Sequence, residues 1–544
     1  MPRRAPQSEQ VRTVSFVSLG CPKNLVDSEK MLGLLAQDGI VPVSADAAEG
    51  GEPVDAAVIN TCGFLEASKE ESLAVIRQAL EKKQAGLIGR VVVAGCLVQR
   101  HREKLLEWAP GIDAMVGVFE RDRIVEAVAG MLPRATSALG ASDGPRYWVA
   151  ANALTAARER GVNTTGLTVN GKDSRGIGYF EDDSARLRLT PRHYAYLRMS
   201  EGCNQNCTFC TIPSIRGKMR SKPPDAIAAE AKELIADGAF ELILIGQDTT
   251  SYGDDIGIGF DHDGRGGGGL PQLLQSLDAV VAENGRAGKV PGWVRLMYAY
   301  PSTFNDAMIN AIASLPNIVK YIDMPLQHAS DRMLQAMRRN VTAAHQESLI
   351  KRLRQRIPGM AIRTTLITGF PGETEDDHRR VLEFVEQTRF DALGVFEYSR
   401  EDHTPAGRMD LDAARHVPAE VKARRRDEIM RLQQRIAFER ARRIADRFDA
   451  ARPAATGARA QVLVDRALAS HGKATTGVGP GGRLYQGRLY SQAPDIDGVT
   501  LVQSCRAIAP GDLVDCVIVN ADGYDLIARP IAEIRALKSA AAMA

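Results

Sequence analysis

Three cysteines share one short run, Glu201-Gly202-Cys203-Asn204-Gln205-Asn206-Cys207-Thr208-Phe209-Cys210. The spacing offers three thiolates, whereas a closed zinc or iron–sulfur site takes four ligands. One metal position is left for something that is not protein. Half of a zinc site and plain buried thiols are the bland alternatives. A zinc site would need a fourth ligand at a chelating spacing, and His193, ten residues before Cys203, is not at one. Three further cysteines each follow a strand-like run, in Leu19-Gly20-Cys21, Asn60-Thr61-Cys62 and Ala94-Gly95-Cys96. Ligands of open α/β sheets gather beyond the carboxyl ends of the strands. One such cysteine would read as a small core residue; three at the same structural position predict a second three-thiolate site.

The elements that must position these groups are α/β in pattern. Val14-Ser15-Phe16-Val17, Ala56-Ala57-Val58-Ile59 and Val91-Val92-Val93-Ala94 read as strands, with helices over 28–37, capped by Ser28, and 68–80. Residues 11–133 are thus expected to form a parallel α/β domain. Residues 134–190 are polar and rich in Gly and Ser, and read as linker plus insertion. Strands are expected at 194–199, 242–245, 294–300, 321–325, 362–368 and 393–398, an incomplete (β/α) barrel within a 191–455 domain. Such barrels do chemistry at the carboxyl ends of their strands, and the triple-cysteine run follows the first strand. The Gly264–Gly269 run lacks a Walker lysine and reads as a loop. A helix over 421–447 carries ten Lys and Arg against four acids, which suits either a solvated face or an RNA- or ribosome-facing one. Residues 456–531 read as a small antiparallel β-barrel, in which Cys505 and Cys516 have no partner pair for a metal.

At 544 residues the chain needs several cores. Its 69 Lys and Arg nearly balance 67 Asp and Glu, so net charge announces no nucleic-acid partner. It has no apolar run long enough to span a membrane and no apolar signal core near Met1, and its eight cysteines fit the reducing cytoplasm.

The 203–210 run resembles the cluster motif of the radical S-adenosylmethionine (SAM) enzymes. The resemblance implies that Cys203, Cys207 and Cys210 hold a [4Fe–4S] cluster whose fourth iron takes SAM, with Phe209 against the adenine, and that SAM is cleaved to a 5′-deoxyadenosyl radical. With both triads and the terminal barrel, nearly the whole chain resembles the methylthiotransferases, whose terminal barrel is a TRAM domain. Ser18-Leu19-Gly20-Cys21-Pro22-Lys23-Asn24-Leu25-Val26-Asp27-Ser28-Glu29, Asn60-Thr61-Cys62-Gly63-Phe64, Pro191-Arg192-His193-Tyr194-Ala195-Tyr196, Pro325-Leu326-Gln327-His328-Ala329-Ser330 and Ala493-Pro494-Asp495-Ile496-Asp497-Gly498 are similar to the ribosomal-protein branch. That branch adds a methylthio group to the β-carbon of an aspartate in protein twelve of the small ribosomal subunit. The resemblance further implies a second [4Fe–4S] cluster on Cys21, Cys62 and Cys96 that carries the donor sulfur. It places SAM contacts at Gly246, Gln247, Asp248, Thr249, Gly369, Gly372 and Glu373. It also implies SAM as methyl donor, an electron donor such as flavodoxin, and a monomer; the sulfur source stays open. The rival readings are a tRNA adenosine methylthiotransferase and a non-catalytic zinc protein of the ribosome. Seven bases against seven acids over 457–531 favour a basic protein over RNA as the barrel's partner. One departure is His403, where the family's Tyr-Ser-x-x-x-Gly-Thr has Gly; if that turn needs positive φ, histidine is strained.

Overall fold

Uncharged runs of Val, Ile and Ala give strands that can be covered on both faces, as parallel sheets require. The computed structural model describes residues 11–44, 52–131, 146–165, 167, 178–179, 181–259, 267–284, 292–468 and 482–534. The first sheet contains β1 (Thr13–Ser18), β2 (Val41–Val43), β3 (Val54–Thr61), β4 (Ile88–Gly95), β5 (Ala114–Val116) and β6 (Arg146–Trp148), all parallel, in the order β2-β1-β3-β4-β5-β6. Ser18 pairs with Asn60, and Asn60 with Ala94, so the three cysteine-bearing ends lie level. The edge strand β6 and a helix, Ala153–Glu159, come from the segment read as linker, which therefore completes this sheet. The first helix runs Pro22–Gln37, not from Ser28: Pro22 sits at its start, where a missing N–H costs nothing, and Ser28 is a buried mid-helix residue. The second helix, Glu66–Gln84, extends beyond 68–80 at both ends.

The second sheet is opened by β7 (Tyr194–Arg198), followed by a short hairpin, β8 (Ser200–Glu201) with β9 (Arg220–Ser221). Five more parallel strands follow: β10 (Glu241–Ile245), β11 (Trp293–Leu296), β12 (Ile318–Asp323), β13 (Ala361–Thr368) and β14 (Ala392–Glu397), in the order β7-β10-β11-β12-β13-β14. This is an open, six-stranded part-barrel whose outer face packs under helices through Leu244, Val294, Ile322 and Ile362, in one core with Leu353 of the helix Ala343–Arg356. β11 stops four residues short of expectation, and Tyr298 beyond it takes φ +59. Of the Gly-rich run, 264–266 lie outside the described residues, and Gly269 already begins the helix Gly269–Asn284. Met1–Gln10, where a signal core was sought, also lie outside the described residues.

The basic helix spans Ala419–Ala445 and buries Ile429 and Ile436 against this domain. Many of its arginines are engaged internally: Arg424 and Arg425 with Glu375, Arg426 with Glu397, Arg435 with Glu386, and Arg440 with Asp391. Charge spent on such pairs is not spent on phosphates. The last unit closes as a five-stranded barrel of β15 (Ala458–Leu468), β16 (Arg483–Arg488), β17 (Thr500–Ser504), β18 (Leu513–Asp522) and β19 (Asp525–Pro530), in the order β15-β16-β17-β19-β18. Its pairings are antiparallel except β17 with β19, which is parallel. Cys516 lies in its core with Val462, Val502 and Ile518, whereas Cys505 is exposed. The barrel docks through polar groups: Arg488 meets both Glu241 (2.6 Å) and Asp465 (3.0 Å), and His193 bonds Asp465 (2.8 Å). Asp497 accepts a hydrogen bond from Tyr321 (2.8 Å) and faces Arg363, so it anchors the barrel; Asp495 is exposed. No helix among the described residues is long and apolar enough to cross a membrane.

Candidate functional site

The amino-terminal triad stands where the sheet register puts it. Cys21 precedes the Pro22–Gln37 helix as its N-cap, Cys62 follows β3, and Cys96 opens the helix Cys96–His101 after β4. A helix amino terminus favours a thiolate. Two glycines let the cysteines approach. Gly20 has φ +90, and a Cβ there would lie 2.8 Å from Cys62 Cβ; Gly95 has φ +97, and a Cβ there would lie 2.3 Å from Asn60 Oδ1. Asn60 Nδ2 donates to Asn24 O (2.9 Å) and Ser28 Oγ (2.8 Å), and Ser72 Oγ donates to Cys62 O (2.9 Å). Burial pushes the Cys96 thiol up to about 12 against the pull of Arg216.

The second triad occupies the loop after β8. Cys203 N donates to Gly217 O (3.1 Å) and Cys210 N to Cys207 O (3.2 Å). Thr208 N and Oγ1 donate to the carbonyls of Met337 and Ala336, which pins the loop to the far side of the part-barrel. Arg339 donates to Cys207 Sγ (3.4 Å) and stacks on Tyr300, with 4.0 Å from guanidinium to ring centroid. Burial raises Cys203 and Cys210 to about 12, Asp248 adding to the effect at Cys203. Such thiols release protons when a metal binds them. Among the described residues, no three His, Cys, Asp or Glu side chains gather as ligands of a single ion. The donor sets are all-thiolate, three and three, each one short of four. They fit two iron–sulfur clusters with an open iron apiece and lack the fourth ligand of a closed zinc site.

The expected SAM-contact residues sit at the carboxyl edge of the second sheet. Gln205 Nε2 donates to Asp248 Oδ2 (2.8 Å), which also accepts from Ser251 Oγ, so Asp248 fixes the cysteine loop. Thr249 Oγ1 is committed to Met297 O (2.8 Å), and a Cβ on Gly246 would meet Ser200 Oγ. Phe209 packs with Phe370, Met333, Met337 and Tyr398, which brings it beside the Gly369–Glu373 turn. Gly369 and Gly372 have φ of +74 and +85. Glu373 ties that turn together by accepting from Gly369 N and pairing with Arg425, and it faces His328 Nε2 at 3.5 Å. Buried polar atoms at the ends of this sheet that have no hydrogen-bond partner among the described residues include Ser200 Oγ, Gln247 Oε1, Gln327 Oε1, Thr368 Oγ1 and Tyr398 Oη. Buried polar atoms are normally satisfied, so a rim of such groups fits a polar ligand such as SAM. The loop holding His403 does not take positive φ there; His403 is exposed and precedes Thr404, which caps the next helix. Glu401 of that loop is buried against Arg100 and Glu66 N of the first domain.

A buried ion network joins the two triads. Arg216 donates to Cys96 Sγ (3.3 Å) and, through its other nitrogen, to Asp27 (2.9 Å) and Glu201 (3.0 Å). Arg198 reaches the same two acids at 2.8 and 2.7 Å and also pairs with Asp183; Arg121 pairs with Asp27 and Asp183. Glu201, two residues before Cys203, accepts from Gln247. Arg216, Arg339 and Asp183 lie outside the motifs quoted above, and Lys23 and Asp27 lie within the 18–29 run without a role of their own. Beside the network lies a cavity of about 370 Å³, lined by Cys21 of the first domain, Tyr196, Ile245 and Tyr298 of the second sheet, and Asp495 and Ile496 of the barrel.

The family model described as the Radical SAM superfamily matches residues 197–385, that of uncharacterized protein family UPF0004 matches 13–117, and the TRAM domain matches 456–531. A radical SAM methyltransferase, TsrM from Kitasatospora setae, superposes with a TM-score of 0.48 at 15% identity, over 73% of this chain and 77% of that one. The ribosomal protein uS12 methylthiotransferase RimO of Anaeromyxobacter sp. (strain K) is 41% identical over 95% of this chain and 92% of its own length. The protein of the same name from Trichlorobacter lovleyi is 37% identical over 96% and 98%. With matches of this extent, the chain belongs to the RimO family of radical SAM methylthiotransferases.

Proposed function

We infer that this enzyme adds a methylthio group to the β-carbon of an aspartate in small-subunit ribosomal protein uS12. The reading rests on two sets of three cysteines linked through one buried ion network, Arg216 bonding both Cys96 and Glu201, with a cavity that runs from Cys21 to the terminal barrel. When bound, two [4Fe–4S] clusters and SAM supply the methyl group, the donor sulfur and the 5′-deoxyadenosyl radical that takes hydrogen from the substrate carbon. Cys203, Cys207 and Cys210 hold one cluster, and Cys21, Cys62 and Cys96 the other. Phe209, Gly246, Gln247, Gly369 and Gly372 border SAM; Asp248, Thr249 and Glu373 keep those turns in shape. Arg339 and Arg216 each bring an N–H to a ligating sulfur and offset the negative charge that builds up there. The apolar cavity wall keeps water from the reacting carbon.

The neutral terminal barrel and the internally paired basic helix support a protein substrate over tRNA. An electron donor such as flavodoxin, a monomeric state and a cytoplasmic location complete the reading, in keeping with eight free cysteines. Mass spectrometry of ribosomal proteins and tRNA from cells with and without the gene tests it. Loss of a methylthio mass from uS12 alone is expected; loss of methylthioadenosine from tRNA would overturn the substrate.

A further inference from the structure

An open cleft of about 510 Å³ lies against the 203–210 loop. Thr208 lines it, together with Gln335, Arg338, Arg408, Asp412 and Arg415. Cys207 and Cys210, on either side of Thr208, are only half-buried, so the cleft comes within one residue of a ligating position. The chain turns sharply here, with Arg338 at φ +55 and Asn340 at φ +50. Between them Arg339 points inward at Cys207 Sγ (3.4 Å), while Arg338 points out into the cleft. Arg338 and Arg408 are exposed and make no ion pair among the described residues; Arg415 has Asp412 at 3.4 Å. Three cations less one acid leave the lining at +2. Deeper in, the cations between the triads, Arg121, Arg198 and Arg216, are buried against carboxylates. Those of the cleft are left facing water. Exposed and largely unpaired, they add little to the fold, and what they supply is a positive field at the surface.

Resting on the electron-donor reading above, we propose that this arginine-lined cleft is where a small acidic one-electron carrier protein, of the flavodoxin kind, docks. A positive lining complements an acidic surface and steers its approach. Electron transfer falls steeply with distance, so a donor must come close to the cysteine loop, and the cleft reaches that loop at Thr208. Redox encounters are small and transient, so they need no broad apolar face. One electron leaves the reduced flavin of the docked carrier and enters the cluster held by Cys203, Cys207 and Cys210. The cavity from Cys21 to the barrel is left free for the substrate. An arginine cleft also suits RNA phosphates, and the test includes that case.

The probe is a flavodoxin. Its binding to the anaerobically reconstituted full chain is measured by calorimetry, and cluster reduction by its reduced form is followed by stopped-flow absorbance, at low and at high salt. Arg338→Glu/Arg408→Glu is compared with Arg442→Glu/Arg443→Glu, the same change of charge on exposed residues of the Ala419–Ala445 helix. The cleft variant should bind flavodoxin at least about tenfold more weakly and take its electron at least about tenfold more slowly at low salt, with the difference fading at high salt. Its iron content, its SAM binding and its reduction by dithionite, which needs no docking, should match wild type. The helix variant should match wild type throughout. A cleft variant that takes electrons from flavodoxin as wild type does overturns the proposal. So does one slowed equally with dithionite, which would make the arginines structural. So does one that keeps flavodoxin but loses binding to RNA, which would assign them to phosphate. If wild type takes no electron from flavodoxin, the donor reading falls and the proposal with it. If electrons do pass through these arginines while uS12 stays unmodified, the uS12 reading fails and the docking site stands.

Discussion

Replacing Arg216 by Met removes one guanidinium that serves both triads, and its cost can be worked from its contacts. Its side chain is 3% exposed and bonds Asp27 at 2.9 Å and Glu201 at 3.0 Å, both buried. Removing one partner of a buried pair costs about 3–5 kcal/mol, because a charge is stranded out of water. Arg198 still bonds Asp27 and Glu201 at 2.8 and 2.7 Å, which places the loss near the lower end, about 3 kcal/mol. Asp27 supplies a pH signature. Burial alone would raise its carboxyl, but Arg198, Arg216 and Arg121 outweigh burial and hold it at about 2, below the ordinary aspartate value. A depressed carboxylate stabilises the fold above its unfolded pKa and loses that contribution as pH falls through the folded value. The window is therefore between about pH 4 and 2, and the contribution is ~2 kcal/mol. Arg216→Met raises the Asp27 pKa, so the acid transition should move to higher pH. Asp27→Asn/Arg216→Met should be less destabilised than the two single changes added. The assay is urea and acid unfolding, with Lys69→Met, which breaks an exposed pair with Glu66, as control. An Arg216→Met protein as stable as that control, with an unmoved acid transition, would refute the reasoning.

Two other changes probe the site and its frame. Gly20→Ala puts a methyl 2.8 Å from Cys62 Cβ at φ +90, so iron bound by the amino-terminal triad should be lost, about half the total by two-cluster stoichiometry, while the triad 203–210 stays loaded; full iron content would contradict this. Arg488→Ala removes the cation that bridges Glu241 of the second sheet and Asp465 of the barrel; Glu241 keeps Arg295 and Asp465 keeps His193, so the cost is about 2–3 kcal/mol, and limited proteolysis near 446–457 should quicken; unchanged digestion would show that the barrel is held by other contacts.

The chemistry was legible in the sequence because it rests on local spacing. A run of three cysteines within eight residues, and three more each placed just after an apolar strand, fix ligand number and sheet edge without any tertiary knowledge. Strand positions followed from the same uncharged runs, although Pro22 showed that a start signal at the cysteine outranked the Ser28 cap. The balanced charge of the terminal barrel was countable too, but the role of each acid was not: Asp497 proved an anchor under Tyr321, and Asp495 alone of that pair faces the cavity. Among its described residues, segment 134–190 contributes an edge strand, a short helix and scattered ion-pair residues such as Asp183, which neutralises Arg121 and Arg198, and Arg186, which pairs with Glu29; such isolated contributions have no period to read. The links between the two metal sites belong to the fold alone. Arg216 meets Cys96 across 120 residues, and Lys23 meets Tyr298 across a still longer stretch of chain. A pattern with the period of a strand or helix can be read along a chain. A buried charge must instead find its partner wherever the packing of three units leaves one, and only the tertiary structure decides where that is.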